Sequence, residues 1–229
     1  MNQQFFGDNR DLFKYDLVFA IMSRAKPRLK SFMLVPMLTG YRTSEKDAVA
    51  GMKNKKLMRC FHKFTAGKGA LKYYREIQGY FESGDINVTI FPSPDFEFSQ
   101  KNRARYFKKM SAHMPKRSLI FLDPDTGIQA DEKAEKQHLK FSELQEIYNQ
   151  VDDGSVLMVY QHFYRDRKNP HDFPEYMAAL VEKQTKEKPL VISDNSLMFL
   201  FLTKDEKLKK NLEKVLNDYK KQYPKSFRK

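Results

Sequence analysis

Ser118-Leu-Ile-Phe-Leu-Asp-Pro-Asp-Thr-Gly-Ile128 reads as a fully apolar strand, Leu119–Leu122, running into a tight acidic turn. On either side the chain alternates between strand-like and helical patterns. Upstream, Asp11–Met22 spreads Leu12, Phe13, Leu17, Ala20 and Ile21 over a broad helical face, with Asp8 or Asn9 available as a cap. Phe32–Leu38 is an apolar run that stops at Thr39-Gly40, a buried strand followed by a turn. Leu57–Phe64 alternates Met58, Cys60, His62 and Phe64, which predicts a second strand. Ala70–Phe81 carries a helical stripe, Ile86–Phe91 is strand-like, and Lys101–Met110 reads as a basic helix.

Downstream, Phe141–Gln150 is a predicted helix and Gly154 turns the chain into strand Ser155–Tyr160. Phe173–Thr185 is helical, with Pro174 in its first turn. Leu190–Ser193 and Leu197–Leu202 flank Asp194-Asn195-Ser196, the pattern of two antiparallel strands joined by a turn. The last helix sets Leu208, Leu212, Val215, Leu216 and Tyr219 against lysines. Parallel neighbours need a crossover, so alternating strands and helices predict an α/β domain with a mostly parallel, Rossmann-like sheet and an antiparallel hairpin near its C-terminal end.

Nothing in the 229 residues repeats, and no Gly/Ser linker divides them. The expectation is one domain, 1–229, with an N-terminal helical segment at 1–30 and a basic C-terminal helix at 204–229. Hydrophobic residues make up 41% of the chain and aromatic residues 14%, enough to build a core and to exclude wholesale disorder. The single cysteine, Cys60, excludes an intramolecular disulfide and a cysteine-built zinc site. The polar start and the lack of any membrane-length apolar run lead to the expectation of a soluble, cytoplasmic protein.

Charge narrows the partners. The chain has 42 Lys and Arg against 29 Asp and Glu, a formal +13, and the excess is uneven. Arg42–Arg75 holds ten basic and two acidic residues, Lys101–Arg117 holds seven basic residues and no acid, and Leu119–Tyr160 holds nine acids against three lysines. A basic surface around an acidic centre suits nucleic acid or another polyanion, although lysine also serves plain solubility.

Four motifs carry candidate chemistry. Asp123, Pro124 and Asp125 stand where an apolar strand reaches its carboxyl end, the place where open α/β sheets bind ligands. Two acids there can hold a metal or a substrate amino group or do acid/base work; the structural alternative is an Asx-type turn. Asp8, Asp11, Lys14 and Tyr15 include an i, i+3, i+4 set at a helix start, which also fits a simply capped helix. Tyr160 and His162 end the next strand as candidate substrate contacts, His162 as a base and Tyr160 for stacking a planar ring, although a histidine beside aromatics also fits a packed, hydrogen-bonded residue. Gly67-Lys68-Gly69 opens a helix but lacks P-loop spacing. Lys101, Arg103 and Arg105 complete the candidate substrate contacts, as phosphate ligands.

The segment Gly7–Tyr15, a strand about twenty residues later, and an Asp-Pro turn after a central strand resemble class I methyltransferase-like proteins. Within that class the nearest are the ribosomal-RNA adenine-N6 methyltransferases, and the three-Cys-motif partner proteins look similar. The resemblance covers about a third of the chain. It implies S-adenosylmethionine as cofactor, with Asp8, Asp11, Lys14, Thr39 and Gly40 as its contacts. It also implies that Asp123 and Pro124 occupy the turn that holds a target amino group. Asp125 and Thr126 stand where that family has a second proline and a stacking tyrosine. Leu34–Tyr41 offers one glycine where the family has a glycine-rich loop.

The reading that follows is a methyltransferase-like domain acting on or binding nucleic acid. One rival is a phosphoryl-transfer enzyme or nuclease using Mg²⁺, with Asp123 as nucleophile, Asp125 as acid and Asp194 as a metal ligand. The other is a non-enzymatic polyanion-binding module on a degenerate methyltransferase scaffold.

Overall fold

The computed structural model describes residues 8–26, 28–37, 54–62, 70–91, 98, 101–163, 172–194 and 196–227. The elements run α1 (Asn9–Arg24), β1 (Ser31–Pro36), α2 (Lys55–His62), α3 (Ala70–Glu82), β2 (Asn87–Ile90), α4 (Arg103–Ala112), β3 (Ser118–Asp123), β4 (Gly127–Gln129) and β5 (His138–Lys140). They continue with α5 (Phe141–Gln150), β6 (Val156–His162), α6 (Phe173–Thr185), β7 (Leu190–Ser193), β8 (Leu197–Leu202) and α7 (Glu206–Gln222).

Six strands form one sheet in the order β2-β1-β3-β6-β8-β7. The first four are parallel neighbours, and β8 enters antiparallel between β6 and β7. This is the expected Rossmann-like α/β sheet with its antiparallel C-terminal strands and terminal helix. The pleat distributes each apolar run between two cores. Phe32, Leu34, Leu119, Phe121, Val156 and Met158 meet α1, α2, α3 and α7, whereas Met33, Val35, Ile120, Leu122, Leu157 and Val159 meet α4, α5 and α6. A central strand covered on both faces has no solvated side, which is why these runs carry no alternation of polar residues.

Leu57–Phe64 does not form the predicted strand. Residues 55–62 are helix α2, with Leu57 and Phe61 buried one turn apart and the Asn54 carboxamide accepting from the Leu57 amide at 3.0 Å. The spacing of those two apolar residues outweighs the period-two pattern of their neighbours. The second strand of the sheet is therefore β2. A separate two-stranded parallel sheet, β4 with β5, also arises beyond the acidic turn.

A buried carboxylate fastens the two terminal helices. Asp16 of α1 accepts from the Tyr219 and Tyr223 hydroxyls at 2.8 Å each and from Asn54 at 2.7 Å. No helix is long and apolar enough to cross a membrane among the described residues.

Candidate functional site

In this sheet β1 has β2 on one side and β3 on the other, so the strand order reverses between β1 and β3. Ligands of open α/β sheets bind outside the carboxyl ends of strands at such a reversal. Pro36 and Asp123 are register partners at that end, and the Met37 amide donates to the Asp123 carbonyl at 3.2 Å.

Strand parity aims the Asp123 side chain. Leu119 and Phe121 face the core that contains α1, so Asp123, two residues on, faces it as well. On β6, Met158 and Tyr160 follow the same parity. Helix α1 packs over this point and starts at Asp8, which caps it by accepting from the Arg10 and Asp11 amides at 2.9 Å.

The result is a closed ionic cluster. The Lys14 ammonium lies 3.0 Å from each oxygen of Asp123, 3.2 Å from Asp11 Oδ1 and 4.3 Å above the Tyr160 ring. The other Asp11 oxygen accepts from the Tyr73 hydroxyl at 2.5 Å. Asp123, Asp11 and Lys14 are all buried, with Asp123 at 0% exposure. Burial works against the Lys14 charge, but Asp123 and Asp11 outweigh it and hold the ammonium well above the ordinary lysine range. Burial pushes the Asp123 carboxyl up, with Lys14 opposing. Burial likewise raises the Tyr15, Tyr73 and Tyr74 hydroxyls, so the cluster is lined by neutral phenols. Asp8, at the rim, is pushed up to about 7 by burial and then by Asp11.

Tyr160 and His162 share a face of β6, and the Tyr160 hydroxyl and His162 Nε2 are joined by a hydrogen bond of 2.8 Å. His162 and Arg10 are half-buried, so they border the cluster on the solvent side. Burial raises the Tyr160 phenol, with Lys14 and Arg10 opposing.

Other expected site residues fall elsewhere. Asp125, half-buried, is on the far side of Pro124 and acts electrostatically on His138, whose imidazole is lowered mainly by burial. Asp194 is a turn cap, accepting from the Ser196 amide and hydroxyl and from the Leu197 amide. No three His, Cys, Asp or Glu side chains converge on a metal-sized point among the described residues. Thr39, Gly40 and Gly67–Gly69 lie outside the described residues, as does 92–97 after β2. Asp11 and Lys14 are paired with each other inside the buried cluster, and Lys14 also with Asp123.

Arg103 needs a correction as a phosphate ligand. Its side chain points inward, pairing with Glu143 of α5 (Nη2 to Oε2 at 2.7 Å) and donating to the carbonyls of Glu135 and His138. It is 5% exposed, so it pins α4 to α5 and β5 instead of facing solvent. Lys101 and Arg105 are exposed. Tyr73 escaped the sequence reading, although it shares a stripe with Ile77 and Phe81, and a tyrosine on a buried stripe needs a polar partner.

Fold and site together define a Rossmann-like α/β domain with a buried Asp–Lys–Asp cluster at its topological switch point. No protein-family model matches the chain, and no curated protein matches it significantly.

Proposed function

We propose that this chain is a nucleic-acid-binding domain on a methyltransferase-like scaffold, in which Asp123 holds the first helix and not a substrate nitrogen. One observation carries the reading: both oxygens of the wholly buried Asp123 are 3.0 Å from the Lys14 ammonium. In the methyltransferases that the chain resembles, the corresponding aspartate holds the target amino group. Here an amine of the protein itself fills that role. A substrate nitrogen would have to displace a buried ammonium and leave it short of a partner, which costs about 3–5 kcal/mol.

The partner is inferred from charge. A formal +13 attracts polyanions over a distance and speeds encounter with them. Phosphate contacts would supply affinity, with little reading of sequence.

The test pairs two assays on the full chain. Labelled RNA and DNA are titrated at low salt, and the protein is incubated with radiolabelled S-adenosylmethionine and the same nucleic acids. The expected result is binding without methyl transfer, and no rise in melting temperature with the methyl donor. Methyl transfer that Asp123→Asn abolishes would overturn the scaffold role of Asp123. Failure to bind either nucleic acid at low salt would overturn the partner.

A further inference from the structure

Helix α4 carries an exposed row of cations. Its inward face is Arg103, Tyr106, Phe107 and Met110. Its outward face presents Arg105, Lys108 and Lys109, and Lys101 stands two residues before its start, all four exposed. At 100° per residue the three on the helix, Arg105, Lys108 and Lys109, fall within an arc of about 100°. No acidic residue occurs from Lys101 to Arg117, and none of the four makes an ion pair among the described residues. Four other cations are paired: Arg24 with Asp218, Arg28 with Asp205, Lys204 with Asp153 and Lys209 with Glu187.

The stripe is also aimed. As the crossover between parallel strands β2 and β3, α4 runs opposite to β3, so its first turn lies at the carboxyl end of the sheet. Tyr106 fixes this by donating to the Pro36 carbonyl at 2.8 Å, at the end of β1. Arg103 locks the rotation of the helix through Glu143. The four cations therefore stand on a rigid support beside the switch point.

We infer that this face of α4 is the phosphate-tracking surface of the protein, laid along one strand of a nucleic acid backbone with no base readout. The inference rests on the nucleic-acid reading above and assigns it a place. Arg105 to Lys109 spans about 6 Å of helix, close to two phosphate spacings of about 3.4 Å, and Lys101 extends the row beyond the first turn. Tyr106 and Phe107, the aromatic residues of α4, are buried, so the helix offers no stacking platform.

Four phosphates neutralised by this face give a salt slope of roughly −3.6 on duplex and roughly −2.8 on single strands. Between roughly 50 and 200 mM salt that is an affinity loss of about 50- to 150-fold. The experiment measures this slope by fluorescence anisotropy with a labelled mixed-sequence oligonucleotide, single-stranded and duplex. Wild type is compared with a variant carrying Lys101→Gln, Arg105→Gln, Lys108→Gln and Lys109→Gln. A control carries Lys207→Gln, Lys210→Gln, Lys214→Gln and Lys221→Gln, an equal charge change at exposed sites on α7, across the sheet. The α4 variant should flatten the slope by about 3 while the control keeps most of it. Equal flattening in both, or an unchanged slope in the α4 variant, overturns the assignment to α4 while leaving nucleic-acid binding in place. No binding by wild type at low salt removes the underlying reading as well.

Discussion

Lys14 and Asp123 are 109 positions apart in the chain, yet the ammonium of one touches both carboxylate oxygens of the other at 3.0 Å. The contact joins the first helix to the end of the third strand. Asp11 lies on the same ammonium, so one cation serves two buried carboxylates. Such a cluster is costly to assemble and much costlier to break on one side, because the remaining charges stay out of water.

Lys14→Met keeps the length of the side chain and removes the charge. At neutral pH it should destabilise the fold by about 3–5 kcal/mol in urea unfolding. The deficit should shrink in acid, where protonation of Asp123, whose carboxyl burial already pushes up, relieves unpaired charge. Adding Asp123→Leu should recover much of the loss. A cost below about 1 kcal/mol, the size expected of an exposed pair, would contradict a structural role for the cluster.

Asp8 makes the pH profile informative. Its folded carboxyl titrates near 7 against an ordinary value of 3.8, so between those values the folded state holds a proton that the unfolded state has released. Its contribution to stability is therefore full in acid and is lost as pH rises through about 7. Asp8→Asn keeps a good helix cap and abolishes this titration. Unfolding free energies measured from pH 4 to 8 should be flatter for the variant, and its advantage should be largest at the alkaline end. Parallel profiles would show that Asp8 is not the titrating group.

Gly127 joins the acidic turn to β4 with a φ of +113°, and an added Cβ would lie 2.5 Å from the Gln161 side chain. Gln161 cannot simply swing away, since its Oε1 accepts from the Ile128 amide at 2.6 Å and its amide group donates to the His162 carbonyl. Gly127→Ala should cost about 1–3 kcal/mol of strain together with the displaced contact. Adding Gln161→Ala should relieve the clash but not the backbone strain. Full recovery in thermal melts of the double variant would mean that the backbone conformation is not strained.

Much of the architecture is legible in local pattern. The apolar runs of β1, β3, β6 and β8 mark strands covered on both faces, and the stripes of α1, α3 and α7 mark helices with one buried side. The α1 cap could be narrowed to Asp8 or Asn9, and the structure chooses Asp8. Helix α2 could not, because Met58, Cys60, His62 and Phe64 alternate as a strand would. Only the burial of Leu57 and Phe61 on α1 and α3 chooses the helix.

The sequence by itself determined the α/β class, the strand that carries Asp123, and the uneven distribution of charge along the chain. These depend on periodicity and composition, which act over a few residues at a time. It could not tell Arg103 from Lys101 or Arg105, since all three are cations in one basic segment. The tertiary structure separates them by bringing Glu143 to the inward face of α4, where it pairs with Arg103. Nor could local pattern foretell that Lys14 would fill the place opposite Asp123. That pairing was decided by the direction of a pleat and the docking of α1 across it, and long-range packing alone sets which charge a buried carboxylate meets.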